Sequence, residues 1–160
     1  MPGILLSINI SLGGVPKLPV SQAAITVEGV AGDRQKDRKH HGGPDRAVSL
    51  LAMSVIRELQ AQGHGITPGS TGDNLTIDGF SAEELVPGVR LCIGADSATA
   101  VELELTTWLQ PCSKIAASFA QRRIAVFAHE TNACRSRIGA RVLRGGFVSI
   151  GDRVLLMKNA

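Results

Sequence analysis

Short apolar runs are the feature of this sequence that most restricts its fold. The longest of them, such as Gly3–Ile8 and Arg153–Met157, have the length of a β-strand. None approaches the roughly 20 residues that a membrane-spanning helix needs. The chain also contains 18 glycines, spread along its length, which favour turns and bulges. The pattern predicts a mostly β, compact, barrel-like fold with one or two short helices, formed by residues 1–160 as a single domain.

Alternation of apolar residues locates the strands of this predicted barrel. In the first run, Ile4, Leu6, Ile8 and Ile10 share one face. Glycine, proline and short polar stretches separate the runs, as turns separate strands. The predicted strands span residues 3–12, 23–27, 47–51, 75–77, 90–93, 101–105, 141–143, 147–150 and 153–157.

Two segments are predicted to be helical. Ser54 is a candidate N-cap for a helix that ends near Gln62. A second helix is predicted to begin at residues 111–113 and to turn Ile115 and Phe119 inward. The residues of the first helix predicted to face the core are Val55, Ile56 and Leu59.

Aromatic residues make up only 3% of the chain, with four Phe, one Trp and no Tyr. Proteins that bind single-stranded nucleic acid stack bases on several aromatic side chains, so the composition argues against this function. The N-terminus has no basic region followed by an apolar stretch and a small-residue cleavage site, so no signal peptide is expected. We therefore expect a cytoplasmic protein with no membrane partner.

Positive charge is concentrated near the C-terminus of a chain whose formal net charge is +3. Residues 121–160 contain eight Lys or Arg and two Asp or Glu, and six of the arginines lie between Arg122 and Arg144. Clustered arginines suit phosphate recognition, so a binding module for an anionic polymer is one hypothesis. A solvated helical face is the other interpretation, and charge patterning alone favours it.

Three cysteines, Cys92, Cys112 and Cys134, are spaced too irregularly for a disulfide framework, and no Cys-x-x-Cys occurs. Reduced thiols are therefore expected. Cys92 lies within an apolar strand and is predicted to be in the core. Cys134 borders the arginine-rich stretch and is predicted to be structural or incidental.

Cys112 is the candidate functional cysteine because it stands where the second predicted helix begins. Free backbone N–H groups at a helix N-terminus, together with the nearby cation of Lys114, stabilise a thiolate. A thiolate acts as nucleophile, sulfur acceptor or metal ligand. The alternative is a small apolar residue packed beneath the turn.

Two glycine-bearing loops are further candidates. In the first, Gly42 and Gly43 permit close approach of a ligand to backbone N–H groups, and Arg46 can meet an anionic group. The alternative is a glycine turn with a solvated rim. The second loop, residues 69–76, lacks the Lys-Ser/Thr ending of a phosphate-binding loop. Its Asp and Asn side chains more often bond within turns than to ligands.

Taken in chain order, these segments resemble a MOSC domain, the module related to the C-terminal part of molybdenum-cofactor sulfurases. The resemblance covers essentially the whole chain and is greatest for small, free-standing bacterial members. The matching segments are Gly-Gly-Val-Pro-Lys at 13–17, Gly-Val-Ala-Gly-Asp at 29–33, His-Gly-Gly-Pro-Asp-Arg-Ala-Val at 41–48, Gly-Asp-Asn-Leu-Thr at 72–76, Pro-Cys at 111–112, Gly-Gly at 145–146 and Gly-Asp-Arg-Val at 151–154.

The resemblance implies a β-barrel and a functional cysteine at Cys112. In the family, that cysteine is proposed either to ligate molybdenum in a bound molybdopterin cofactor or to carry sulfur as a persulfide. A soft thiolate suits the sulfur-rich coordination of molybdenum in this cofactor. The residues that the resemblance places at the cofactor are His41, Gly42, Gly43, Arg46, Asp73 and Asn74.

Two activities are implied as expectations. One is a molybdenum-dependent oxidoreductase that reduces small N-hydroxylated compounds and receives electrons from a reductase. The other is a component of sulfur transfer, in which a partner cysteine desulfurase carrying pyridoxal phosphate supplies sulfur to Cys112. Neither activity involves nucleic acid.

Overall fold

The computed structural model describes residues 2–34 and 43–157. Within these ranges the chain forms eleven strands, one α-helix and several 3-10 turns. The strands are β1 Gly3–Ile10, β2 Leu18–Val20, β3 Gln22–Thr26, β4 Gly29–Val30, β5 Val48–Ala52, β6 Leu75–Asp78, β7 Arg90–Ile93, β8 Val101–Trp108, β9 Ile138–Arg144, β10 Gly146–Ser149 and β11 Arg153–Met157, and the helix is α1 Met53–Ala61.

Seven strands close a barrel, in the order β11-β7-β8-β9-β5-β6-β1, because β1 also pairs with β11. All neighbours are antiparallel except β5 and β6, which are parallel. The strand β2 extends the edge at β1, and β10, β3 and β4 form a separate small sheet. The predicted mostly β, barrel-like fold with one or two short helices is confirmed.

The first strand shows how local pairing decides which residues enter the core. Leu5 and Ile8 are completely buried, whereas Ile4 is 50% and Leu6 37% exposed. The register between β1 and β6 shifts between Leu5 and Ser7, so the inward face changes parity along the strand. The face shared by Ile4, Leu6 and Ile8 in the sequence is therefore divided between solvent and core.

The helix predicted after Ser54 is confirmed as α1. Its buried residues are those expected, Val55, Ile56 and Leu59. The predicted cap is wrong, because Ala52 is the N-cap and the buried Ser54 hydroxyl has no hydrogen-bond partner in the part of the chain that the structure describes.

The second predicted helix begins where expected, but it is a short 3-10 helix and it is interrupted. The chain after Cys112 forms 3-10 helices at Ser113–Ser118, Ala120–Arg122 and Ile124–Phe127. Gln121 and Arg122 adopt positive φ angles of 55° and 57°, which a continuous right-handed helix cannot contain. Ile115 and Phe119 are nevertheless buried, as expected.

One end of the barrel, which we call the Cys112 end, collects the segments of interest. Leu75 at the start of β6 pairs with Ile8 near the end of β1 and with Leu50 in β5. Ile138 at the start of β9 pairs with Leu50 and with Trp108, the last residue of β8. The loops that precede β6 and β9 and those that follow β1 and β8 therefore approach one another there. The turn before β5 joins them because Arg46 and Leu109 both pack beside Gly139. Among the described residues, no helix is long and apolar enough to cross a membrane.

Candidate functional site

A buried ion pair anchors the segment that follows β1. The Lys17 ammonium lies 2.6 Å from Asp33 Oδ2, and the two side chains are 7% and 5% exposed. The other carboxylate oxygen of Asp33 accepts the backbone N–H of Ser11. This pair links the segment that precedes β2 and β3 to the segment that follows β4, and holds both at the Cys112 end.

Asn74 connects three segments of this end through its side chain. Its amide oxygen accepts hydrogen bonds from the backbone and hydroxyl of Ser49, at 3.1 and 3.2 Å. Its amide nitrogen donates to the Asn9 carbonyl and to Asp33 Oδ2, at 3.1 and 2.9 Å. The side chain is fully buried, and both its amide oxygen and its amide nitrogen are hydrogen-bonded to protein groups, an arrangement that stabilises the fold. Its contact with a cofactor stays a prediction.

Asp73 is a completely buried carboxylate with several donors. Oδ1 accepts hydrogen bonds from the Gly69 backbone and the Thr71 hydroxyl, and Oδ2 accepts one from the Thr76 hydroxyl at 2.7 Å. Burial raises the pKa of Asp73, whereas the Thr76 hydrogen bond and the charge of Arg137 oppose that shift. Its contact with a cofactor likewise stays a prediction.

Arg137 is a buried cation whose charge acts on this carboxylate. Its side chain is 6% exposed, and its Nη1 lies 3.2 Å from the position that a Cβ on Gly72 would occupy. Burial lowers the pKa of Arg137, and the charges of Asp73 and Cys112 oppose the shift. Within residues 2–34 and 43–157, its buried Nε has no hydrogen-bond partner.

The ladder between β8 and β9 continues beyond the strands and brings the segment before Cys112 alongside Arg137. The Leu109 N–H donates to the Arg137 carbonyl at 3.0 Å, and the Ser136 hydroxyl donates to the Leu109 carbonyl at 2.8 Å. Cys112 follows three residues later, as a half-buried free thiol that precedes the first 3-10 turn. Cys112 is the N-cap of the 3-10 helix Ser113–Ser118, so it stands at a helix N-terminus as expected, and its charge interacts with that of Arg137.

The first glycine loop lies only partly within the described residues. His41 and Gly42 are outside them, so nothing is added to the prediction for these two. Gly43 is exposed and precedes the 3-10 turn Pro44–Arg46. The Arg46 Cγ lies 3.4 Å from the place of a Cβ on Gly139, so Arg46 packs on the outer face of β9. Gly43 and Arg46 as cofactor contacts stay predictions.

The other two cysteines differ from their predicted surroundings. Cys92 is half-buried rather than in the core, because it alternates with the buried Leu91 and Ile93 along β7. Cys134 is also half-buried and has a positive φ of 64°. Burial raises the pKa of Cys134, and the charge of Glu83 contributes.

The C-terminal arginines do not form one solvated helical face. Arg135 pairs with Glu58, Arg141 pairs with Asp45 and Glu104, and Arg144 pairs with Glu102. Arg137 is buried, so this cluster is divided among separate partners. The hypothesis of an anionic-polymer module has no support from this arrangement.

Sequence reasoning gave no individual role to two residues of the Cys112 end, Lys17 and Arg137. Lys17 belonged to a matching segment, and Arg137 was one of six clustered arginines. The feature of the sequence that could have identified them is that each is a basic residue immediately before a strand, Lys17 before β2 and Arg137 before β9. Among the described residues, no three His, Cys, Asp or Glu side chains lie close enough to hold a metal ion together.

These features belong to a known class of protein. The sequence matches the family model of the MOSC domain over residues 37–155, and the chain therefore belongs to the MOSC domain family. The family is associated with molybdenum-cofactor binding and sulfuration.

Similar proteins come from bacteria. The chain is 28% identical to the uncharacterized protein YflK of Bacillus subtilis over 150 residues, which are 90% of this chain and 63% of that protein. The crystal structure of the YUAD protein of Bacillus subtilis superimposes with a TM-score of 0.75 at 17% identity, covering 96% of this chain and 94% of that one. YiiM of Geobacillus stearothermophilus gives 0.71 at 22% identity, covering 98% and 76%. These structures show the same fold.

Proposed function

We propose that this MOSC protein binds the molybdenum cofactor and that the Cys112 thiolate is a ligand of the molybdenum. The observation that carries the proposal is the half-exposed thiol of Cys112 beside the buried cation Arg137. A soft anionic sulfur at a positively charged site suits a soft, sulfur-coordinated metal. Bound there, the cofactor would supply a redox-active metal for the reduction of small N-hydroxylated compounds.

The residues present are compatible with an anionic cofactor. A buried donor without an acceptor costs about 1–3 kcal/mol, and Arg137 Nε is such a donor. Bound negative charge at this end would relieve that cost. Arg46 and the backbone of Gly43, on the loop that enters β5 at the same end, are the groups proposed to bind the cofactor phosphate.

Lys17 has a different role in this proposal. Its charge is already neutralised by Asp33 at 2.6 Å, so it holds the loop around Gly72 in place and is not a donor for the cofactor. The Lys17 backbone supports this role, because its N–H donates to the Gly69 carbonyl at 2.8 Å. An electron-transfer reductase is the partner that such an oxidoreductase requires.

The half-exposed position of Cys112 also favours a second candidate, a persulfide carrier that receives sulfur from a partner desulfurase. In that function the protein would hold no resident metal. The same experiment separates the two candidates.

Elemental analysis tests the proposal on protein purified from a host that makes the cofactor. We expect stoichiometric molybdenum in the wild type, its loss in Cys112→Ser and its retention in Cys92→Ser. Cys92 is the matched control because it is also a half-buried free thiol. Metal-free wild-type protein that accepts labelled sulfur on Cys112 would replace the first candidate by the second. Molybdenum retained in Cys112→Ser would refute the proposed ligand.

A further inference from the structure

Arg137 is a buried guanidinium whose hydrogen-bonding capacity the protein does not use. Across residues 2–34 and 43–157, its side chain has no hydrogen bond or ion pair within hydrogen-bonding distance, and Nε is fully enclosed. An uncompensated buried charge is strongly destabilising, so proteins normally pair such a group. A buried arginine to which no described residue is hydrogen-bonded through its side chain therefore points to a group that arrives from outside the chain.

The surrounding acidic groups do not supply the missing acceptor. Asp73 acts on Arg137 through charge, but its oxygens accept hydrogen bonds from Gly69, Thr71 and Thr76. Asp33, the other buried carboxylate of this end, is paired with Lys17. Neither carboxylate is hydrogen-bonded to Arg137.

The guanidinium packs closely against a glycine. Gly72 has a φ of +89°, and a Cβ there would lie 3.2 Å from Arg137 Nη1 and 3.2 Å from Val15 Cγ1. The other neighbour identified through its charge is Cys112. Only a residue without a side chain fits against Nη1, and the candidate functional thiol lies within electrostatic range of the same guanidinium.

We propose that Arg137 forms an anion subsite beside Cys112, so that the small molecule which reacts at Cys112, or at a metal held by it, carries a carboxylate or oxyanion group. The inference rests on the proposed function in one respect, that Cys112 is the reactive position. It adds the charge of the substrate, which the cofactor assignment leaves open.

Two alkylating reagents of similar size test this subsite on the full-length, cofactor-free protein. Iodoacetate carries a carboxylate and iodoacetamide is neutral, so their rate ratio at one thiol reports the local charge and cancels differences in thiol exposure. Peptide mass spectrometry measures the ratio at Cys112 and at Cys92 in the same sample. We expect the ratio to be about tenfold higher at Cys112, because a fixed cation in a recess concentrates anions.

Variants connect the effect to Arg137. Arg137→Gln should lower the ratio at Cys112 to that at Cys92, and Arg137→Lys should keep most of it. Arg141→Gln is the matched control, since Arg141 lies further along the same strand and is paired with Asp45 and Glu104. Its ratio should equal that of the wild type.

A competition measurement on wild-type protein covers the case in which Arg137→Gln does not fold. Acetate or sulfate should protect Cys112 from iodoacetate in a saturable way and leave Cys92 unaffected. Equal ratios at Cys112 and Cys92 in the wild type, no protection by either anion, or an unchanged ratio in folded Arg137→Gln would each overturn the inference. The elemental analysis is a separate test. If the protein never binds molybdenum but Cys112 still prefers iodoacetate, only the proposal that Cys112 is a molybdenum ligand is refuted. If the protein binds molybdenum but Cys112 shows no preference for iodoacetate in the cofactor-free form, only the anion subsite is refuted.

Discussion

Lys17 and Asp33 form an ion pair with a 2.6 Å contact and almost no solvent exposure, between the turn after β1 and the loop after β4. Asp33 also accepts a hydrogen bond from Asn74 Nδ2 at 2.9 Å. The Asp33 carboxylate thus joins three segments of the Cys112 end. The loop around Gly72 is held through two of these contacts, those to Lys17 and Asn74.

Removing one member of this pair should be far more damaging than removing both. Asp33→Asn leaves the buried Lys17 ammonium uncompensated, and we expect a loss of about 3–5 kcal/mol in the free energy of unfolding. The double variant Lys17→Met with Asp33→Asn should recover part of the loss. Urea denaturation of the three proteins measures both effects.

The exposed pair of Arg57 and Asp78 is the control for that series. Its bidentate contacts of 2.7 and 2.8 Å are geometrically good, but solvent screens them. Arg57→Ala should therefore reduce stability much less than Asp33→Asn. A loss in Asp33→Asn no larger than in this control would contradict the role given to the buried pair.

Asp78 should nevertheless make a measurable, acid-sensitive contribution. Hydrogen bonds from Arg57 lower the pKa of Asp78 below its ordinary value of 3.8. Because the folded pKa is the lower one, the stabilisation is present above pH 3.8 and is lost as the pH falls through the folded pKa. The stability difference between wild type and Asp78→Asn should thus shrink from pH 5 toward pH 2.5, and a difference that is constant with pH would refute this account.

Much of the barrel could be predicted from alternation in the sequence. The strands at 90–93 and 153–157 have the predicted bounds, because each is a short run in which apolar positions alternate and glycines stand close by. The core face of α1 followed from spacing alone. The buried face of β1 could not be predicted in the same way. It depends on the register shift between Leu5 and Ser7, which arises only when β1 pairs with β6.

The candidate site depended more on tertiary structure. Arg137 is a residue type normally found at the surface, and its burial results from the chain folding back over the end of β9. The segment after Cys112 has apolar residues spaced as in a helix, but positive φ angles at Gln121 and Arg122 divide it into 3-10 turns. No local pattern distinguishes these outcomes.

The three thiols should react in a defined order. Cys112, the half-buried thiol proposed as the reactive position, should be modified first by iodoacetamide near neutral pH. Cys134 should be slow, since burial and Glu83 raise its pKa. Mapping the first alkylated peptide in cofactor-free protein measures the order, and Glu83→Gln should accelerate Cys134 only. Earlier modification of Cys92 or Cys134 in the wild type would remove Cys112 as the working thiol.

Gly72→Ala should disturb the Cys112 end through Arg137, beyond the backbone strain that any such substitution brings. The φ of +89° disfavours an L-residue, and the new methyl group would lie 3.2 Å from Arg137 Nη1. Gly63→Ala is the matched control, because Gly63 has a φ of +94° and no atom within 4 Å of a Cβ. Both variants should lose about 1 kcal/mol of stability from strain. Only Gly72→Ala should lose more in urea denaturation and also change the ratio of iodoacetate to iodoacetamide rates at Cys112. If the two variants behave alike in both measurements, the close packing of Gly72 against Arg137 does not position the guanidinium and has no part in the site.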